Sequence, residues 1–78
     1  MRPATLRRTI ADAIRESELP RTLIAKDASL GRATLESWLS GIRNPSKESI
    51  SQIAEAFESR AKVLGALAAR LRQSLNRA

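Results

Sequence analysis

The sequence predicts an all-α domain, and three observations carry that prediction. Strand formers are scarce, with one Phe, one Trp and no Tyr, while Ala, Leu, Arg and Glu, which lose little on entering a helix, are plentiful. Apolar residues recur at three- and four-residue intervals along most of the chain, the spacing of one buried helical face. The length of 78 residues suits one small core and not two. A single domain over residues 1–78 is therefore expected, of a size that gains from idealised helix packing or from self-association.

The intervals divide into five helices. The first is predicted from Thr5, a candidate cap, to Ser17. It stacks Leu6, Ile10 and Ile14 and leaves Arg7, Arg8, Asp12, Arg15 and Glu16 in solvent. Leu19-Pro20 breaks the chain direction, because proline disfavours helix in the residue before it and suits entry to the next helix. The second helix is predicted over Arg21–Ala28, with Ile24, Ala25 and Ala28 inward, and the third over Arg32–Ser40, with Leu35, Trp38 and Leu39 inward. Between them Ala28-Ser29-Leu30-Gly31 leaves room only for a sharp corner. Ala25 lies at the helix crossing, where a methyl group is about all that fits. Ser46 is expected to cap a fourth helix carrying Ile50, Ile53, Ala54 and Phe57 at i, i+3, i+4 and i+7. A fifth helix is expected from about Ser59 to Leu75.

The segment Arg21–Gly41 resembles the helix-turn-helix of the lambda repressor and Cro family, the xenobiotic-response-element type, whose second helix enters the major groove. Arg21 stands where the family usually has a phosphate-binding Gln. Ala25 is the small residue at the crossing, and Leu30, Leu35 and Trp38 are the apolar anchors. Gly41-Ile42-Arg43-Asn44-Pro45-Ser46 looks like the family's Gly-x-Arg-x-Pro-Ser connection into a fourth helix. Ser29 departs from the pattern, since the family has Gly at that left-handed turn and a residue with a Cβ costs roughly 1 kcal/mol there. Gly31 also departs, standing where the family has a capping Ser. The resemblance covers about Thr5–Glu58 and implies a compact five-helix bundle of the lambda-repressor-like DNA-binding type. Residues 59–76 would close the core and support dimerisation.

The resemblance also implies roles. Arg32, Ala33, Glu36 and Ser37 project from the third helix opposite Leu35 and Trp38, at positions that touch base edges in related repressors. There Arg32 would pair with guanine O6 and N7, Ala33 would pack on a thymine methyl, Glu36 would accept from cytosine N4 and Ser37 would bond a base or a phosphate. The alternatives are a phosphate clamp or solvated arginine for Arg32, and for Glu36 exclusion of wrong sequences or orientation of Arg32. Arg21, Thr22, Arg43, Asn44, Ser46 and Lys47 are expected on phosphates, as are the amides from Gly31 onward. Trp38 is in register with Leu35 and is therefore core rather than a base-stacking ring. Met1-Arg2-Pro3-Ala4 reads as a disordered start, with a groove-reaching basic arm as the alternative.

Charge agrees with a polyanionic partner. Fourteen Lys and Arg, eleven of them Arg, oppose eight Asp and Glu for a net charge of +6. Charge of this size also serves solubility, so position decides: from Arg21 to Lys47 five cations meet only Asp27 and Glu36. The chain has no Cys and no His, which removes disulfides, thiolate and imidazole metal sites and the usual general bases. No enzyme activity, metal, cofactor or small-molecule substrate is expected. The uncharged run Val63–Ala69 is far below the ~20 residues needed to span a bilayer. Met1-Arg2-Pro3 leads into no secretory segment, so a reducing bacterial or phage-infected cytoplasm is the expected setting.

In the last predicted helix Ala61, Leu64, Ala68, Leu71 and Leu75 form one apolar stripe at three- and four-residue spacing, widened by Val63 and Leu67 and flanked by Arg60, Lys62, Arg70, Arg72 and Arg77. Val63, Leu64 and Leu67 are expected to close the core against helices 1 and 4. Leu71 and Leu75, together with Leu64 and Ala68 on the same stripe, are expected to meet a second subunit. The expected function is a sequence-specific transcriptional regulator, a repressor whose homodimer reads double-stranded operator DNA as an inverted repeat with half-sites about one helical turn apart. An antitoxin, or an accessory protein of a phage or plasmid recombinase or partition system, is the first alternative. A helical protein–protein adaptor is the alternative of another class, and an anionic membrane is a secondary partner for the basic helix.

Overall fold

The computed structural model describes residues 3–77, and their regular structure is helical throughout. Four helices follow one another: α1 (Pro3–Ser17), α2 (Arg21–Asp27), α3 (Arg32–Leu39) and α4 (Lys47–Arg77). The all-α class is as expected, but the number of helices is four and not five. The fourth and fifth predicted helices are one, because Glu58-Ser59-Arg60-Ala61 contains no Gly or Pro and nothing to interrupt the hydrogen-bond ladder. Arg60 also ties that stretch to α2, donating through Nε and Nη2 to Asp27 Oδ2 at 2.8 and 2.6 Å. Asp27 needs that partner, since it ends α2 where the helix dipole disfavours a carboxylate.

Helix α1 begins two residues before the expected Thr5, at Pro3, where a missing N–H is no loss. Thr5 therefore lies inside the helix, and its carbonyl accepts from Thr9 Oγ1. Of the proposed N-terminal arm, Met1 and Arg2 lie outside the described residues. The chain leaves α1 through Glu18, a non-glycine residue at φ 58°. Ser17 Oγ makes this exit possible by donating to the Ile14 carbonyl at 2.7 Å and accepting from the Leu19 amide at 3.2 Å. Pro20 then occupies the N-cap of α2 in an extended conformation.

Ile10, Ile14, Ile24, Ala25, Leu35 and Trp38 form the centre of the core, joined from α4 by Ile53 and Ala56. Leu35 is completely buried, consistent with its place between α1 and α2. Ala56 replaces Ala54 as the inward alanine of α4, and Ala54 is exposed. The second half of α4 leaves this core. Val63, Leu64 and Leu67, expected to close it, are exposed, because the uninterrupted helix carries them past α1 and α2 instead of folding back. The molecule measures 53 × 24 × 19 Å, its long axis matching the ~46 Å that a helix of this length spans. Among the described residues no helix is long and apolar enough to cross a membrane.

Candidate nucleic-acid interface

The corner between α2 and α3 is closed by backbone bonds. The Leu30 amide donates to the Ala25 carbonyl at 2.8 Å and the Ser29 amide to Lys26 at 3.1 Å, with Ser29 at φ 58°. This is a Schellman cap with a left-handed residue at its apex. Serine therefore holds the conformation that favours glycine, as the resemblance implied. Gln52 reaches across from α4 and donates to the Ala28 carbonyl at 3.3 Å, which braces the corner from behind.

The exit of α3 repeats the device. Ile42 donates to the Ser37 carbonyl at 2.9 Å and Gly41 to Trp38 at 3.3 Å, with Gly41 at φ 83°. Here a glycine supplies the left-handed residue. Arg7 of α1 donates to the Gly41 carbonyl at 3.2 Å, a cation set where helix carbonyls end. Two caps thus fix the corner and the exit of the α2–turn–α3 unit, and Leu35 and Trp38 anchor its inner face in the core.

The outer face of α3 gathers the four residues predicted to read bases. Arg32, Ala33, Glu36 and Ser37 line one open concavity of about 500 Å³, together with Ser40 and Ile42. Ile42 was not singled out by its sequence position, yet it is 78% exposed. An isolated isoleucine among the polar turn residues Gly41, Arg43 and Asn44 was the available signal. Ser37 Oγ is turned onto its own helix, donating to the Thr34 carbonyl at 2.6 Å. Gly31 is the N-cap of α3 with no side-chain bond, and its carbonyl accepts from the Thr34 amide at 3.1 Å, which leaves the Arg32 and Ala33 amides free of backbone partners.

Charge on this face is arranged by Glu36. Its carboxylate accepts from Arg21 Nη1 at 3.0 and 3.2 Å, and Arg32 Nε lies 3.8 Å away. One acid thus holds two arginines from two helices, with all three side chains substantially solvent-exposed. Such exposed pairs add about 0.2–1 kcal/mol to stability, so their effect is to set where the guanidinium groups point.

The remaining predicted phosphate residues lie at the start of α2, in the loop after α3 and at the start of α4. Thr22 is exposed beside Arg21 in the first turn of α2. Arg43 and Asn44 are exposed in the loop after α3, and the Arg43 amide donates to the Ser37 carbonyl at 3.1 Å. Ser46 is the N-cap of α4, accepting from the Ser49 amide at 3.1 Å and donating to Ser49 Oγ at 3.0 Å, and Lys47 opens the helix in solvent. Leu64, Ala68, Leu71 and Leu75 are not part of this site; they lie exposed along the projecting half of α4. Among the described residues no group of His, Cys, Asp and Glu is placed to hold a metal. Comparisons with family models, curated proteins and solved structures return no match.

Proposed function

We infer that the α2–turn–α3 unit is a helix-turn-helix of the lambda repressor and Cro type, and that the chain is a sequence-specific DNA-binding regulator. The observation that carries this is the shared outer face of α3, where Arg32, Ala33, Glu36, Ser37 and Ile42 line one open surface directly behind the buried Leu35 and Trp38. A helix presented this way is free to enter a major groove, with guanidinium for guanine and apolar groups for thymine methyls. Arg21, Arg43 and the first-turn amides of α3 would bond phosphates and set register. Repression would follow from occupancy of an operator overlapping a promoter.

Titrating duplex DNA with the protein at rising salt is the direct test. The affinity is expected to fall linearly on a log–log plot with a slope of several units, because each neutralised phosphate contributes about 0.9. Selection from a random pool would then yield the operator. Absence of binding at low salt, or an affinity flat against salt, would refute the assignment.

A further inference from the structure

From Phe57 onward the outer stripe of α4 runs through Ala61, Leu64, Ala68, Leu71 and Leu75, separated alternately by four and three residues. That is a seam of period 3.5, the repeat that keeps one face of a helix against a partner helix. Leu71 is 69% and Leu75 74% exposed, and nothing in the monomer covers them. Upstream the same stripe continues as Ile50 and Ala54, where it forms one wall of an apolar groove of about 220 Å³ against Leu6, Thr9 and Ala13 of α1. Seam and groove are one continuous apolar surface. Residues 61–77 are exposed throughout, whereas most helices in proteins owe their stability to packing of an apolar face.

We propose that this surface pairs with α4 of a second copy of the chain, and that the two helices run antiparallel. Orientation follows from two features of the seam. From Phe57 to Leu71 its positions alternate a large residue with alanine, so a parallel pair would stack Ala61 on Ala61 and Ala68 on Ala68, leaving thin layers between thick ones. An antiparallel pair sets Leu64 against the partner's Ala68 and Leu71 against the partner's Ala61, so that the four central layers each join large to small, while Leu75 meets the partner's Phe57 at either end. The partner's Leu75 then lies at the mouth of the α1–α4 groove.

Charge selects the same orientation. From Ser59 to the end of the chain there is no acid, while Lys62, Arg70, Arg72 and Arg77 are basic. A parallel pair would lay these cations side by side. Antiparallel pairing instead brings the basic end of each helix to the stretch of the other that holds Glu55 and Glu58, and it sets Glu58 beside the partner's Arg72 on the flank of the seam. Gly65 falls at the two-fold axis facing its own copy. In the monomer nothing beyond the local helix backbone and the adjoining residues lies within 4 Å of the Cβ that Gly65 lacks, so this glycine weakens an exposed helix without relieving any tertiary contact. At the axis it permits close approach of the two backbones. The pairing does not depend on what α3 binds.

The chain has no cysteine, so single cysteines report orientation. Sedimentation at micromolar concentration should give a dimer. Ala61→Cys mixed with Leu71→Cys should oxidise to a crossed disulfide dimer, while neither variant links to itself, because like positions would lie too far apart to bridge. Glu58→Arg and Arg72→Glu should each weaken self-association about tenfold, and the two together should restore it to within about twofold. These two residues are roughly 21 Å apart along one helix, so restoration must act between chains. A monomeric parent, self-linking of Ala61→Cys, tightening by Arg72→Glu, or failure of the double variant to recover would each overturn the proposal. So would a chain that stays monomeric and instead floats with phosphatidylserine vesicles.

Discussion

Replacing Glu36 by Gln is expected to make the protein bind DNA more tightly and less selectively. In the structure the carboxylate holds Arg21 at 3.0 Å and stands 3.8 Å from Arg32. Glutamine keeps the size of the side chain and removes the charge, so both guanidinium groups are released and the face gains one net positive charge. If one released arginine reaches a phosphate, the log–log salt slope steepens by about 0.9. On random duplex this amounts to an affinity gain of roughly three- to tenfold at low salt. The preferred site gains less, since a carboxylate near base edges repels unfavourable sequences and its loss removes that discrimination. The cost to folding is small, because exposed pairs contribute about 0.2–1 kcal/mol. Anisotropy titrations of random and selected duplexes, at salt concentrations from roughly 50 to 200 mM, would read both effects. An unchanged slope together with unchanged or weaker binding to random DNA would show that Glu36 does not restrain the arginines.

Other substitutions probe readout and stability. Arg32→Ala should cost roughly 1–3 kcal/mol on the preferred site and relax one base position, whereas Arg43→Ala should weaken all sequences alike and lower the salt slope by about 1; equal losses on specific and random DNA for Arg32→Ala would make it a phosphate contact. Ser29→Gly should stabilise the fold by about 0.5–1 kcal/mol, raising the melting temperature by roughly 2–8 °C, since glycine accepts the left-handed turn without a Cβ penalty. A lower melting temperature would mean that Ser29 is not strained. Ser46→Ala removes the N-cap of α4 and should cost about 1 kcal/mol, or roughly 4–8 °C; thermal melts followed by circular dichroism at 222 nm, the helix band, would detect it.

What was legible in the sequence was whatever a single segment dictates. Ile10, Ile14, Ile24, Ala25, Leu35 and Trp38 are buried because the three- and four-residue spacing leaves each helix only one apolar face to offer. A sharp corner at Ser29 was legible because only four residues separate the two helices, and the left-handed residue there was implied by the resemblance, whose family has Gly at that position. The shared face of Arg32, Ala33, Glu36 and Ser37 followed from the same periodicity once Leu35 and Trp38 were set inward. The join of the last two predicted helices was not legible in the same way. The apolar spacing runs on through Ser59, and a helix continues without a break when its core contacts end, as α4 does beyond Arg60, so the end of packing against the core marks no helix boundary.

Contacts between distant segments were beyond reach, and they decide the electrostatics of the site. Between Arg21 and Lys47 the sequence holds two acids, Asp27 and Glu36, and counting alone subtracts both from the positive charge offered to DNA. The structure assigns each an arginine from another helix. Arg60 of α4 binds Asp27 at 2.6 Å, while Arg21 of α2 binds Glu36 of α3 at 3.0 Å. These two neutralisations differ in consequence. Asp27 is matched by a cation from outside the segment, so Arg60 cancels an acid at the α2 terminus and leaves the segment's own cations uncommitted. Glu36 is matched from within it, drawing on two arginines expected to meet DNA. The first pairing adds to the positive potential of the region, and the second spends part of it on fixing where Arg21 and Arg32 point. Selectivity would therefore be adjusted at Glu36, and overall attraction at Asp27 and Arg60, although all of these residues are separated by many positions along the chain.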